Sequence, residues 1–152
     1  LKTHQLGINE IQTVISGLSP LPGAAEFLDD LRTAYQVVIL SDTFYDFASP
    51  LMAQLSWPTL MCHRLEINAE GMITGYRLRQ EDPKRRAVEA FRSLNFRIFA
   101  AGDSYNDTSM LGAADAGFLF RAPSNVKAEF PSFKATDEYT ELRRLIDEAA
   151  TR

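Results

Sequence analysis

The chain is poor in cysteine: of its 152 residues only Cys62 carries a thiol. An intramolecular disulfide is therefore excluded, and the composition fits a reducing, cytoplasmic compartment. Positive charge is not in excess either. Lysine and arginine number 16 against 20 acidic residues, for a formal net charge of -4, which argues against nucleic acid or an anionic membrane surface as partner. No apolar run approaches the ~20 residues of a membrane span, and no secretory signal opens the sequence as given. Cys62-His63 would be half of a metal site, but no second cysteine and only the remote His4 are there to complete a four-ligand set. Repeats, low-complexity segments and long linkers are lacking too. With 45% apolar and 24% charged residues, the chain reads as an ordinary soluble domain.

What is present is concentrated in one stretch, Arg97-Ile98-Phe99-Ala100-Ala101-Gly102-Asp103-Ser104-Tyr105-Asn106-Asp107. A short apolar strand over Ile98 to Ala101 runs into Gly-Asp, and a second carboxylate follows four residues on. Asp103 would stand at the carboxyl end of the strand, where open α/β sheets place their ligands. Asn106 and Asp107 fall in the first turn of the next helix. Two carboxylates brought together there make a hard-oxygen site suited to Mg²⁺. An ordinary Gly-Asp turn followed by a helix-capping acid accounts equally well for this stretch taken alone.

Two further pieces change the balance. Val37-Val38-Ile39-Leu40 is a continuous β-branched and aliphatic run that ends in Ser41-Asp42-Thr43-Phe44, a buried parallel-type strand delivering a hydroxyl at its carboxyl end. Asp82-Pro83-Lys84-Arg85-Arg86 opens a helix that continues to Leu94, with Asp82 at the cap and Pro83 at the first helical position. Lys84 in the first turn opposes the helix dipole, so an anion nearby would relieve it. By itself, this run also reads as a solvated basic helix start.

The rest of the chain alternates strand and helix, which predicts a parallel α/β sheet. Asn9 would cap a short helix carrying Ile11, Val14, Ile15 and Leu18. A helix over Ala24 to Ala34 follows a Pro-Gly loop. Asp46 to Leu55 reads as a helix and Thr59 to Cys62 as a short strand. Leu65-Glu66-Ile67 and Met72 to Tyr76 flank Asn68-Ala69-Glu70-Gly71, a hairpin signal. Thr108 to Ala114, Gly117 to Phe120 and Glu138 to Ala149 supply a helix, a buried strand and a C-terminal helix.

A strand ending in Ser41, a lysine at a helix start and a strand ending in Gly102-Asp103-Ser104-Tyr105-Asn106-Asp107 resemble, in this order, the second, third and fourth motifs of the haloacid dehalogenase superfamily. The run from Leu18 to Phe130 is most similar to the phosphoserine phosphatase branch. Ser41-Asp42-Thr43-Phe44, in place of the Ser-Gly-Gly-Phe usual there, resembles the bifunctional phosphoserine phosphatase/homoserine phosphotransferase group. The resemblance implies a Rossmann-like parallel sheet with helices on both faces. It also implies a helical-cap tail over residues 1–18, a core over 19–152 and a small hairpin insertion over 64–78.

The superfamily's first motif, a strand ending in Asp-x-Asp, has no counterpart. Asp29 and Asp30 lie within a helical run, and Leu1-Lys2-Thr3-His4-Gln5-Leu6-Gly7 is neither strand-like nor acidic. By resemblance that strand lies between the Val37–Leu40 and Ile98–Ala101 strands, and without it two apolar edges would be left unpaired. A nucleophilic aspartate in a preceding segment is therefore expected, and residues 1–152 alone are expected to be inactive.

The resemblance gives each residue a role. Ser41 would hydrogen-bond the phosphate, with Asn106 beside it or orienting Lys84, and Asp42 and Thr43 would meet the amino-acid end. Lys84 would neutralise nucleophile and phosphoryl group together. Asp103 would bind Mg²⁺ directly, while Asp107 would hold it through water or steer Lys84. The implied substrate is O-phosphoserine, with water or homoserine as acceptor, in serine biosynthesis; homodimerisation is left open. Two other readings use the same residues: an inactive phosphate- or metal-binding domain of this fold, and a response-regulator-like receiver. The receiver fits less well, because its lysine follows a later strand whereas Lys84 opens a helix.

Overall fold

In the computed structural model the described residues are 7–151. They fall into two compact units that divide between Pro83 and Lys84. Each is a layer of strands covered by helices, giving the expected mixed α/β fold with parallel strands and helices on both faces.

The first unit holds α1 (Ile8–Ser16), α2 (Ala24–Arg32), β1 (Val38–Phe44), α3 (Tyr45–Gln54), β2 (Thr59–Ile67) and β3 (Ile73–Arg77). Its sheet has the order β1-β2-β3. The two strand segments expected around Cys62 and Leu65 are one continuous strand, β2. The first half of β2 pairs parallel with β1, and its second half pairs antiparallel with β3. The sheet is therefore mixed rather than parallel throughout. Gly71 closes the hairpin at φ 78°, a left-handed backbone that side-chain-bearing residues rarely adopt. Asn68 Oδ1 accepts the Met72 N–H at 2.8 Å across the same turn.

Two boundaries differ from the sequence reading. Asn9 lies inside α1, not at its cap, because the start of the helix is set by tertiary pairing. The Ile8 N–H donates to the Gly71 carbonyl at 2.9 Å, and Gly7 bridges to Met72. β1 also runs past Leu40 to Phe44. Leu40 faces Met61 and Phe44 faces His63, so Ser41, Asp42 and Thr43 stand opposite Cys62 alone and arch out of the ladder. Phe44 returns to the sheet because its ring packs against Phe47, His63 and Tyr76, with centroids 5.6, 6.1 and 6.1 Å away. The core of this unit is Ala48, Met52 and Leu55 of the α3 region, packed on Ala25, Leu28, Ile39, Leu51 and Leu60. Residues 1–6, including His4 and the first third of the expected cap tail, lie outside the described residues.

The second unit holds α4 (Pro83–Ser93, with Pro83 its first residue), β4 (Phe99–Gly102), α5 (Thr108–Ala113), β5 (Ala116–Phe120), α6 (Ser124–Glu129), β6 (Lys134–Thr136) and α7 (Tyr139–Ala150). The sheet, β4-β5-β6, is parallel throughout. Leu111, Phe118, Leu119, Val126, Leu142 and Leu145 are buried in it. The sequence reading did not include α6 and β6. Tyr105–Asp107 form one turn of 3₁₀ helix ahead of α5, so Asn106 and Asp107 precede the α-helix instead of starting it. β1 and β4 are each an edge of their own sheet, and no strand pair joins the two sheets among the described residues.

Candidate active site

β4 is short and apolar, and it delivers Asp103 just beyond its carboxyl end. The chain then turns tightly enough for the Asp107 side chain to lie against Gly102. A Cβ at position 102 would fall 2.5 Å from Asp107 Cβ and 2.7 Å from Oδ2. Only glycine leaves that space. The turn is held by a capping box between Ser104 and Asp107. Asp107 Oδ2 accepts the N–H groups of Asp103 at 3.0 Å and Ser104 at 3.1 Å, and the Ser104 hydroxyl at 3.0 Å.

The other oxygen meets the lysine. Lys84 Nζ donates to Asp107 Oδ1 at 2.8 Å, and the two side chains are only 11% and 8% exposed. The anion that the start of α4 calls for is thus Asp107. Burial raises the Asp107 carboxyl, but the hydrogen bond and charge of Lys84, with the Ser104 donors, outweigh it and hold the group below the usual aspartate range. Such a buried, hydrogen-bonded pair fixes the lysine in place.

Asp103 and Asn106 are exposed beside this pair. With both Asp107 oxygens engaged, Asp103 is the carboxylate left open to a hard cation. Among the described residues no group of three or more histidine, cysteine, aspartate or glutamate side chains is placed to hold a metal ion by itself. The structure thus brings Lys84, Asp103 and Asp107 together around one loop.

Ser41, Asp42 and Thr43 belong to the first unit. In their arch Ser41 Oγ accepts the Thr43 N–H at 3.2 Å, which leaves the hydroxyl proton to donate elsewhere. Asp42 is exposed, while Ser41 and Thr43 are half-buried. Cys62 and His63 are buried in β2. Burial, reinforced by Asp46, pushes the Cys62 thiol up to about 11, and His63 Nδ1 accepts the Arg79 N–H at 3.0 Å. Both are structural.

The sequence reading missed Ser104, whose Ser-x-x-Asp spacing to Asp107 is a visible capping signal. It also missed Tyr105. The Tyr105 hydroxyl donates to Glu129 Oε2 at 2.7 Å, a contact between loop and α6 that no local pattern reveals.

Residues 8–112 match the model of the haloacid dehalogenase-like hydrolases. The phosphoserine phosphatase ThrH of Pseudomonas aeruginosa is 57% identical over all 152 residues, which cover 74% of its length. A phosphoserine phosphatase of Pseudomonas syringae pv. tomato is 57% identical over the same residues, which cover 64% of it. The chain therefore spans about three quarters of one relative and less than two thirds of the other. Among solved structures, the crystal structure of a phosphoserine phosphatase from T. onnurineus matches with a TM-score of 0.72 and 25% identity, over 93% of this chain and 66% of that one. The family match and these full-chain identities fall on the elements that carry Ser41, Lys84 and Asp103, and on them the chain belongs to the haloacid dehalogenase-like hydrolases.

Proposed function

We propose that the chain is the larger part of an Mg²⁺-dependent phosphatase that hydrolyses O-phosphoserine through an aspartyl-phosphate. The observation that carries this reading is the buried Lys84–Asp107 pair beside the open Asp103. Phosphoryl transfer spreads charge over the equatorial oxygens, so catalysis is mostly positioning and electrostatic stabilisation. Lys84 is held where a compact ammonium can neutralise an attacking carboxylate and a phosphoryl oxygen together. Ser41 donates its free hydroxyl proton to the phosphate, and Asn106 adds an uncharged donor. Asp42 and Thr43 face the amino-acid end of the substrate.

The donor set suits Mg²⁺, which keeps several waters and needs only one or two carboxylates beside the substrate phosphate. Asp103 would hold it directly. Asp107, which carries Lys84 and the loop donors, would hold the ion through water or steer Lys84. When bound, the ion supplies charge neutralisation at the phosphoryl oxygens.

The nucleophilic aspartate is assigned to a segment outside these residues. Support comes from β1 and β4, each the edge strand of its own sheet among the described residues, and from relatives longer than this chain. On this reading residues 1–18 are the tail of a helical cap, 19–152 the core and 64–78 a hairpin insertion within it. The Ser-Asp-Thr-Phe sequence favours homoserine as a second acceptor. By the family resemblance the enzyme would serve serine biosynthesis in the cytoplasm.

The test is to assay the full-length protein with O-phosphoserine and Mg²⁺, with and without homoserine, beside Asp103→Asn. Phosphate release that falls about a thousandfold in the variant is expected from the loss of several kcal/mol of charge stabilisation. O-phosphohomoserine should form when homoserine is added. Tight phosphate binding without turnover in the wild type would instead support an inactive binding domain, and near-normal turnover in Asp103→Asn would remove Asp103 as the metal ligand. Residues 1–152 alone should show no turnover.

A further inference from the structure

The loop that carries Asp103 and Asp107 is short, and its own capping box holds it from within while Lys84 holds Asp107 from α4. A second restraint comes from outside it. Tyr105, the middle residue, sends its hydroxyl to Glu129 Oε2 of α6 at 2.7 Å, and Asn125 Nδ2 of the same helix donates to that hydroxyl at 3.4 Å. The Tyr105 ring meets Phe130 edge-on with centroids 6.0 Å apart, and Phe130 stacks on Phe133 at 6.3 Å. Thr108 Oγ1 donates to the Tyr105 carbonyl at 2.9 Å, which ties the same residue to the first turn of α5.

We propose that Tyr105 is a positioning residue: with Glu129 and Phe130 it tethers the 103–107 loop to α6, so that the Asp103 and Ser104 amides stay on Asp107 and the Asp103 carboxylate keeps one direction. This deepens the function proposed above and rests on that loop being the metal- and phosphate-binding loop. The physical reason is geometric. The two amide bonds that hold Asp107 in register with Lys84 come from residues 103 and 104, directly before Tyr105. Release of the ring and hydroxyl frees the side chain that ties the turn to α6 and leaves the Asp107–Lys84 pair as its link to another helix, so the turn can rotate about its capping box. Preorganised donors and acceptors keep their value in catalysis only while such supports hold them.

Glutamate and glutamine separate this from a simple packing role. In Glu129→Gln an amide oxygen still accepts the phenol proton, whereas Glu129→Ala leaves none. Tyr105→Phe keeps the ring on Phe130 and removes only the hydroxyl.

The experiment is amide hydrogen exchange by NMR on the wild type, Tyr105→Phe, Glu129→Ala and Glu129→Gln, with Mg²⁺ titrated calorimetrically into each. Exchange at Asp103 and Ser104 should quicken by about tenfold in Tyr105→Phe and Glu129→Ala, the low end of what a hydrogen bond to a charged acceptor is worth. Glu129→Gln should stay near the wild type, and Phe118 and Leu119 of β5 should not change. Mg²⁺ should bind several-fold more weakly in the first two variants. Unchanged exchange at 103 and 104 in Tyr105→Phe, or quickening shared equally by β5, would overturn the proposal. If the wild type takes up no Mg²⁺ while the exchange pattern is as expected, the tether stands and the metal assignment fails.

Discussion

Lys84 Nζ donates to Asp107 Oδ1 at 2.8 Å, while the other oxygen of that carboxylate holds the amides of Asp103 and Ser104. One side chain therefore fixes both the cation of the site and the backbone that presents Asp103. That carboxylate accepts from a lysine, two amides and a hydroxyl, and so holds Lys84 and the loop together.

Replacing Asp107 by asparagine should cost more than replacing Lys84 by methionine. Asp107→Asn withdraws the negative charge from a lysine that is 11% exposed and halves the acceptor capacity facing four donors. Breaking one side of a buried pair typically costs about 3 kcal/mol. Lys84→Met removes the desolvated cation along with its need for a partner and leaves Asp107 its loop donors, so it should cost about 1 kcal/mol. Urea unfolding of both variants measures this, and the reverse ranking would show that the Ser104 and Asp103 donors contribute little.

Gly102→Ala tests the close approach. The new Cβ would lie 2.5 Å from Asp107 Cβ and 2.6 Å from its Cγ, so Asp107 must move. Overpacking of this kind costs about 1–3 kcal/mol, and the displaced carboxylate should let Lys84 go. A crystal structure of the variant should show Nζ–Oδ1 beyond 4 Å, outside ion-pair range. An unmoved pair would mean that β4 itself yields.

Much of this was legible in the sequence because it is local chemistry. Pro83 marks the start of α4, and a run of small apolar residues ending in Gly-Asp marks the end of β4. The Lys84 charge at a helix start predicts an anion, though not which one. Its partner lies 23 residues away, and no periodicity carries that distance. The arch at Ser41 stayed hidden for a similar reason: the return of β1 to its ladder depends on Phe44 packing on side chains of α3, β2 and β3. α6 has six residues and β6 three, too short for a helical or alternating pattern to stand out. The start of α1 was misread because the Gly71 carbonyl, 63 positions from Ile8, fixes it.

Ser41→Ala should separate binding chemistry from folding. Ser41 Oγ accepts only a local amide in its arch, that of Thr43, so the stability cost should be about 1 kcal/mol or less. The hydroxyl is assigned to the phosphate, and loss of a hydrogen bond to a charged oxygen should lower turnover of the full-length enzyme by about tenfold to a hundredfold. Steady-state kinetics with O-phosphoserine beside a thermal melt reads both. Equal turnover would detach the Ser41 arch from the site.

Acid should undo the Lys84–Asp107 pair in a window that its own carboxyl sets. Asp107 in the folded protein lies below the ordinary aspartate value, which is about 3.9 in an unfolded chain. A depressed folded value means that the unfolded state binds the proton more readily. The stabilisation from Asp107 is then complete above about pH 4 and is lost as pH falls from there through the lower folded value. Other carboxylates titrate in the same range, so the wild-type curve alone cannot isolate it. The difference between wild type and Asp107→Asn can, since asparagine does not titrate. Urea midpoints at intervals from pH 7 to pH 2.5 should give a gap that is constant down to about pH 4 and then closes, because the protonated aspartic acid comes to resemble the amide. A gap that stayed constant to pH 2.5 would place the folded value lower still. A gap that opened as pH fell would mean that burial, not Lys84, controls this carboxyl, and the pair would not be the electrostatic anchor of the site.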